Sequence, residues 1–158
     1  MQDIEIKIAT LDDVDSILEI NHMTGKLHED NVPNYFIPST PSSGKSFIEN
    51  AIKSEYSEVF IAKNKDKTIG YLVLFLQDWS KDAFVYNEFG YIGSLGVKEE
   101  YQRKGIATLL VKRAEEYLIN HGIYAMDLDV FMFNDNAFNL YQKLGYKEIK
   151  RNLRKILK

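Results

Sequence analysis

The chain has 158 residues, no cysteine and a net charge of −3 at pH 7. That length closes one hydrophobic core without cross-links, and the lack of cysteine excludes a disulfide framework, a thiolate zinc site and a cysteine nucleophile. The three histidines, His22, His28 and His121, lack the spacing of a metal box, so no metal is expected, and the weakly acidic balance exerts no pull on nucleic acid.

Met1 to Glu5 carries neither the basic nor the apolar block of a signal peptide. The longest apolar run, Tyr71 to Leu76, is too short to cross a bilayer. A cytoplasmic protein with no membrane partner is expected. Ile4, Ile6 and Ile8 alternate with charged residues and predict a first strand. The Thr10 hydroxyl can accept from the free amides of a helix carrying Val14, Ile17, Leu18 and Asn21 at helical spacing. From Leu27 to Lys45, through Pro33, Pro38 and Pro41, the pattern dissolves into a long loop with short helical pieces, of a kind that is often functional. A short helix from Ser43 to Ser54 follows.

Val59 to Ala62 and Ile69 to Leu76, joined by a turn at Asn64 to Lys67, predict a hairpin. The next strand, Phe84 to Val97, holds Gly90, Gly93 and Gly96. Glycines there mark a bulge or the close approach of a ligand or another backbone. Ile106, Leu109, Leu110, Ala114, Tyr117 and Leu118 form the apolar stripe of a helix whose opposite face carries Lys112, Arg113, Glu115 and Glu116. Gly122 sits where a left-handed cap is expected. Met126, Leu128 and Val130 predict another strand, Asn134 caps a helix to Leu144 ended by Gly145, and Tyr146 to Leu157 predicts a terminal hairpin. The basic tail, Lys147 to Lys158, reads as a solvated strand face. This order predicts one domain over residues 1–158, of α/β (α+β) class, with a single layer of sheet flanked by helices.

The junction from Val97 to Ala107 is the most informative unit. A strand ends, a loop turns, and a helix begins at Gly105. Free amides at a helix start, added to the macrodipole, favour an anion. Arg103 and Lys104 oppose that dipole unless a polyanion is bound; in the plainer alternative they point into solvent. Other phosphate motifs fail. No G-x-G-x-x-G follows a strand, and Gly44-Lys45-Ser46 lacks the leading glycine of a P-loop, since Ser39 stands there.

Ile92-Gly93-Ser94-Leu95-Gly96-Val97 followed by Tyr101-Gln102-Arg103-Lys104-Gly105-Ile106-Ala107 resembles the acetyl-CoA signature of the GNAT acetyltransferases. Downstream, Asn134-Asp135-Asn136-Ala137-Phe138-Asn139-Leu140-Tyr141-Gln142-Lys143-Leu144-Gly145-Tyr146 resembles their Asn-x-x-Ala-x-x-x-Tyr-x-x-x-Gly-Phe/Tyr block. Ala107 stands where glycine is commoner. The resemblance implies a central mixed, mostly antiparallel, splayed sheet of six to seven strands. It also implies an N-acetyltransferase using acetyl-CoA as co-substrate, with a non-catalytic acyl-CoA sensor and a nucleotide enzyme as rival readings. Amides of Gln102, Arg103, Lys104, Gly105, Ile106 and Ala107 would hold the pyrophosphate. The main chain of Leu95, Gly96 and Val97 would pair with the pantetheine, and Asn134, Ala137 and Tyr141 would complete the cofactor contacts.

Transfer to an amine requires a neutral amine, a polarised carbonyl and a protonated leaving thiolate. By resemblance Tyr141 is the acid; a phenol of reference pKa about 10 can protonate a thiolate nearer 8.5. Glu88, acting through water, is the expected base, with Asp129, Glu29, Asp30 and His28 as alternatives. The family's acceptor side corresponds to Met23 to Pro41, whose His28, Glu29, Asp30, Tyr35 and Phe36 suit a cation. The expected acceptor is a small-molecule amine or a peptide N-terminal amine, because the C-terminal block also resembles ribosomal-protein N-terminal acetyltransferases. A homodimer paired through the C-terminal strands is compatible.

Overall fold

The structure, a computed structural model, describes residues 4–80 and 84–157. Met1 to Asp3 and Lys158, which bear on the expectations for a leader and for the basic tail, lie outside the described residues. Among the described residues, five strands form one sheet in the order β1-β2-β3-β4-β5. They are β1 (Ile4–Ile8), β2 (Ser57–Asn64), β3 (Lys67–Asp78), β4 (Glu88–Val97) and β5 (Met126–Leu128). The first four run antiparallel to their neighbours, and β5 pairs parallel to β4.

Alternation along the strands sends side chains to two separate cores. Phe60, Leu72, Leu74 and Ile92 face α3 (Ile106–Asn120) and α4 (Asp135–Lys143). Val59, Ile61, Tyr71 and Val73 face α1 (Val14–Asn31) and α2 (Lys45–Lys53). Because both faces are covered, β3 is buried almost continuously from Thr68 to Leu74 rather than alternating with polar residues. Among the described residues no helix is long and apolar enough to cross a membrane.

Four expectations are corrected. The long loop does not begin at Leu27, because α1 continues through Asn31. Nothing breaks it before Pro33, which disfavours helix at Val32, and Lys26 pairs with Asp30 at 2.9 Å one turn on. At the start of that segment, Thr10 caps a short 3-10 turn, Leu11–Asp13, and not α1 itself. Its N–H and hydroxyl donate to Asp13 Oδ2 at 2.9 and 3.2 Å across that turn. Among the described residues the sheet has five strands rather than six to seven, and residues 146–157 form no hairpin. On one face of such a strand Arg151 and Lys155 would interrupt Ile149, Leu153 and Leu157, so neither face is apolar. Ile149 and Leu153 remain 74% and 91% exposed.

Candidate active site

The site begins where two strands part. β4 and β5 register only at Gly90↔Met126, Tyr91↔Asp127 and Ile92↔Leu128. Beyond Ile92, β4 runs on to Val97 with only β3 beside it, so one edge of Gly93 to Val97 carries main-chain groups without a strand partner. Gly93 is the hinge. Val73 pairs with Ser94 and Leu74 with Ile92, leaving Gly93 as the extra residue of a β-bulge. A Cβ there would sit 2.3 Å from the Phe75 ring, so no larger residue fits without displacing it. The sheet is therefore splayed, as expected, and Leu95, Gly96 and Val97 line the open edge.

At the end of that edge the chain turns through Glu99–Tyr101 into α3. Arg103 and Gly105 both adopt left-handed backbone, with φ of 58° and 83°. Among the described residues, the amides from Arg103 to Thr108 have no protein acceptor. Six successive donors at a helix N-terminus, on the positive end of its dipole, make a cradle for a polyanion. A Cβ on Gly105 would meet nothing within 4 Å, so it is the backbone conformation and the open approach that require glycine here. The Gln102 amide is not part of the run, since it donates to Glu99 O at 3.1 Å. Its side chain instead ties the loop to the strand, donating to Val97 O at 3.0 Å. Lys104 folds back, with Nζ 2.7 Å from Glu100 O and 5.4 Å from the Tyr101 ring centroid. Arg103 is exposed with no partner among the described residues.

α4 closes the same region from the β5 side. Asn134 Oδ1 accepts the Ala137 amide at 3.1 Å, capping the helix and leaving its side-chain NH2 free for a ligand. Ala137 is part-buried against the core, and Tyr141 is 8% exposed within it. The Tyr141 phenol has no hydrogen-bond partner among the described residues, and burial pushes it up to about 12. Such a group keeps its proton through neutral pH, so it is in the acid form when a neighbouring atom takes on negative charge, although burial also makes it a weaker acid than a free phenol.

On the other face of the sheet, the bulge opens into a cleft of about 320 Å³. Asn21, Thr24, His28 and Glu29 of α1 line it, with Phe36 and Ile37 of the following loop, Gly93 and Ser94 of β4, and Phe131 after β5. His28 makes edge contacts with Phe36, Phe131 and Phe133 at centroid distances of 5.3 to 5.9 Å. Its Nδ1 lies 2.8 Å from Thr24 O. A carbonyl oxygen only accepts, so Nδ1 carries the proton and Nε2 keeps its lone pair. Glu29 accepts the Ser39 amide at 2.8 Å. Hydrogen bonding from the Ser39 side chain and backbone holds its carboxyl below the usual range. Tyr35 stacks against Phe36 outside the lining and meets the Arg154 guanidinium at 4.3 Å. Asp30 points away, paired with exposed Lys26.

Glu88 is not brought to this place. It starts β4, shares the face of Gly90 and Ile92 that packs toward Leu118 of α3, and pairs with Asp78. Gly93 lies five positions further along the strand, roughly 16 Å at ~3.3 Å per residue. Asp129 is nearer, just past β5, accepting the Tyr91 hydroxyl at 2.9 Å. Sequence reasoning misses Phe131 and Ser94 as lining residues. It also misses a buried network in which the Tyr71 hydroxyl meets Asn21 Oδ1 at 2.9 Å and Ser94 Oγ at 2.6 Å. The available signals are a polar Asn21 on an apolar stripe and a tyrosine inside an aliphatic strand.

The profile of the Acetyltransferase (GNAT) family matches residues 25–146, a span that takes in most of the cleft, the splay, the amide cradle and α4. An N-alpha-acetyltransferase of Saccharolobus solfataricus is 30% identical over 154 residues, covering 94% of this chain and 83% of its own. An N-alpha-acetyltransferase of Sulfurisphaera tokodaii is 31% identical over 153 residues, covering 92% and 81%. Among solved structures, a mutant of the BH1408 protein of Bacillus halodurans superposes with a TM-score of 0.87 at 25% identity, covering 97% of this chain and 99% of that one.

Proposed function

The chain belongs to the acetyltransferase (GNAT) family and is an N-acetyltransferase, and on that premise we propose that it works as one domain moving acetyl from acetyl-CoA to the α-amine of a peptide. The observation that carries this reading is the adjacency of two unlike surfaces at Gly93. An open strand edge leads to six free amides on one side, and a cleft lined by hydrogen-bond acceptors lies on the other. The first suits the pantetheine amides and pyrophosphate of coenzyme A, and the second suits a donor such as an amine.

An α-amine is favoured over a lysine side chain for two reasons. About one α-amine in ten is neutral at pH 7 against about one lysine in 2,500, so less work falls on the base. The two relatives from Saccharolobus solfataricus and Sulfurisphaera tokodaii also carry α-amine transfer in their names. Among the alternatives to Glu88, His28 is the base this geometry supports best, because its Nε2 lone pair is left to the cleft by the Nδ1 bond to Thr24. The neutral amine attacks the thioester carbonyl directly. A main-chain amide of the open edge, among Leu95 to Val97, stabilises the developing oxyanion, an effect worth ~3–4 kcal/mol for such donors. Tyr141 protonates the departing thiolate.

Free-thiol release from acetyl-CoA, measured against a panel of free-amine peptides and small amines, tests the reading. Peptides should give the highest kcat/KM; a small amine outrunning every peptide would overturn the acceptor assignment. Two lesser parts of the reading are a homodimer, supported by the exposed apolar Ile149, Leu153 and Ile156 of the tail, and residence in the cytoplasm. Sedimentation and cell fractionation check them.

A further inference from the structure

Ser94 is the one side chain of the bulged strand that faces the cleft while being held from behind. The proton positions behind it follow from donor and acceptor counts. Asn21 Nδ2 donates to Ser43 O at 3.2 Å, so its Oδ1 is the atom turned toward Tyr71. A flipped amide would set Oδ1 against a carbonyl oxygen. An amide oxygen only accepts, so the single phenolic proton of Tyr71 goes to Asn21. Tyr71 is 0% exposed, and burial pushes its phenol up to about 12, so that proton stays in place. The 2.6 Å contact between Tyr71 and Ser94 can then be filled in only one way, with Ser94 donating and Tyr71 accepting.

We propose that Ser94 is a substrate-positioning group whose hydroxyl proton is locked inward by Tyr71 and Asn21, so that only its lone pairs face the cleft, to accept an N–H of the incoming amine. The neighbours have the same polarity. Thr24 Oγ1 gives its proton to Ile20 O at 3.1 Å, His28 keeps a lone pair at Nε2, and Glu29 is a carboxylate. A hydroxyl free to rotate would serve donors and acceptors alike. The buried chain removes that freedom and favours an amine, whose several N–H groups can satisfy more than one of these acceptors, over an alcohol, whose single O–H can satisfy only one. Because Asn21 does not titrate, the chain orients and does not conduct protons.

This inference rests on the acceptor reading above, and the experiment separates the two. Binding is measured in the dead-end complex of the protein with coenzyme A and a free-amine tetrapeptide, where no transfer occurs. Ser94→Ala should weaken peptide binding about tenfold, the effect of losing one hydrogen bond to an amine, with coenzyme A affinity unchanged. Tyr71→Phe frees the Ser94 proton to turn outward and should weaken the peptide by a similar factor. The double variant should lose no more than the worse single, because both break one chain. Asn21→Leu should have the same effect with Ser94 and Tyr71 both intact, since Tyr71 then donates to Ser94. Ser94→Thr should recover most of the affinity. Peptide affinity unchanged in Ser94→Ala, or fully additive losses in the double variant, would overturn the proposal. Absence of thiol release from acetyl-CoA with every peptide would instead sink the peptide reading, and the same titration with the small amine that does release thiol would then decide the role of Ser94.

Discussion

Two stretches of the molecule meet at Gly93 and are built from different material. From Leu95 to Thr108 the working groups are main-chain: an open strand edge and six amides, with the side chains of Gln102 and Lys104 turned back to brace the loop. From Asn21 to Ser39 they are side chains, projecting from the last turns of a helix and the loop behind it. A backbone site is defined by φ, ψ and the absence of a Cβ. It tolerates most substitutions and fails at few positions. A side-chain site depends on the identity of every residue. Invariant cofactor and variable acceptor are the natural division of labour between such surfaces.

That contrast can be broken or sharpened by substitution. The largest expected effect is at Tyr141, whose hydroxyl is the one side-chain group on the cofactor side to which the proposed mechanism gives a chemical step. Tyr141→Phe should lower kcat by about 100-fold or more while coenzyme A affinity, followed by calorimetry, changes less than about twofold. With the wild-type phenol pushed up to about 12, the acid form persists as pH rises, so kcat should show no alkaline fall below about pH 10. Such a fall would remove Tyr141 as the acid. Next, Gly105→Val places a β-branched residue at φ 83°, costing ~1–3 kcal/mol of backbone strain, and brings a side chain into the anion's path. The KM for acetyl-CoA should rise about 10- to 100-fold with acceptor KM little changed. An equal rise in both would mean that the two surfaces are not separable.

On the acceptor side, His28→Asn should lower kcat/KM about tenfold with coenzyme A affinity unchanged. An unchanged kcat/KM would return the base to Asp129. Smaller still, Asn134→Ala removes a cap worth about 1 kcal/mol, visible as a Tm lowered by roughly 2–6 °C, together with a few-fold weaker coenzyme A affinity. Were only the Tm to fall, the free NH2 of Asn134 would have no part in binding. The smallest effect is expected at Glu88, on the wrong face and at the far end of β4. Activity of Glu88→Gln should stay within about twofold of wild type.

The same contrast explains which parts of the site are legible in the sequence. Gly93, Gly96 and Gly105 announce close approach and left-handed backbone in the residue type itself, and a cap followed by a helix is a local pattern. The open edge, the amide cradle and α4 can therefore be read along the chain. The cleft cannot, because its walls come from α1, the loop at 36–39, β4 and Phe131, and no local pattern records that these meet. Glu88 attracts the role of base by being close in sequence, yet a strand alternates its faces. Glu88 shares a face with Gly90 and Ile92, opposite to Gly93. The terminal hairpin fails for a related reason: the apolar residues of 146–157 are frequent enough for a strand, but not placed on one side of it.

The open edge of β4 carries a liability as well as a use. Unpaired main-chain groups beside Gly93 to Val97 are a template for any extended chain, and such an edge invites intermolecular pairing. Coenzyme A would seal it. At a concentration 100 times its Kd, a ligand that binds only the folded state adds about 2.7 kcal/mol of stability. The protein stripped of coenzyme A should therefore be the form that self-associates and precipitates first on storage or heating. On the proposed function, its own co-substrate would then act as its chaperone.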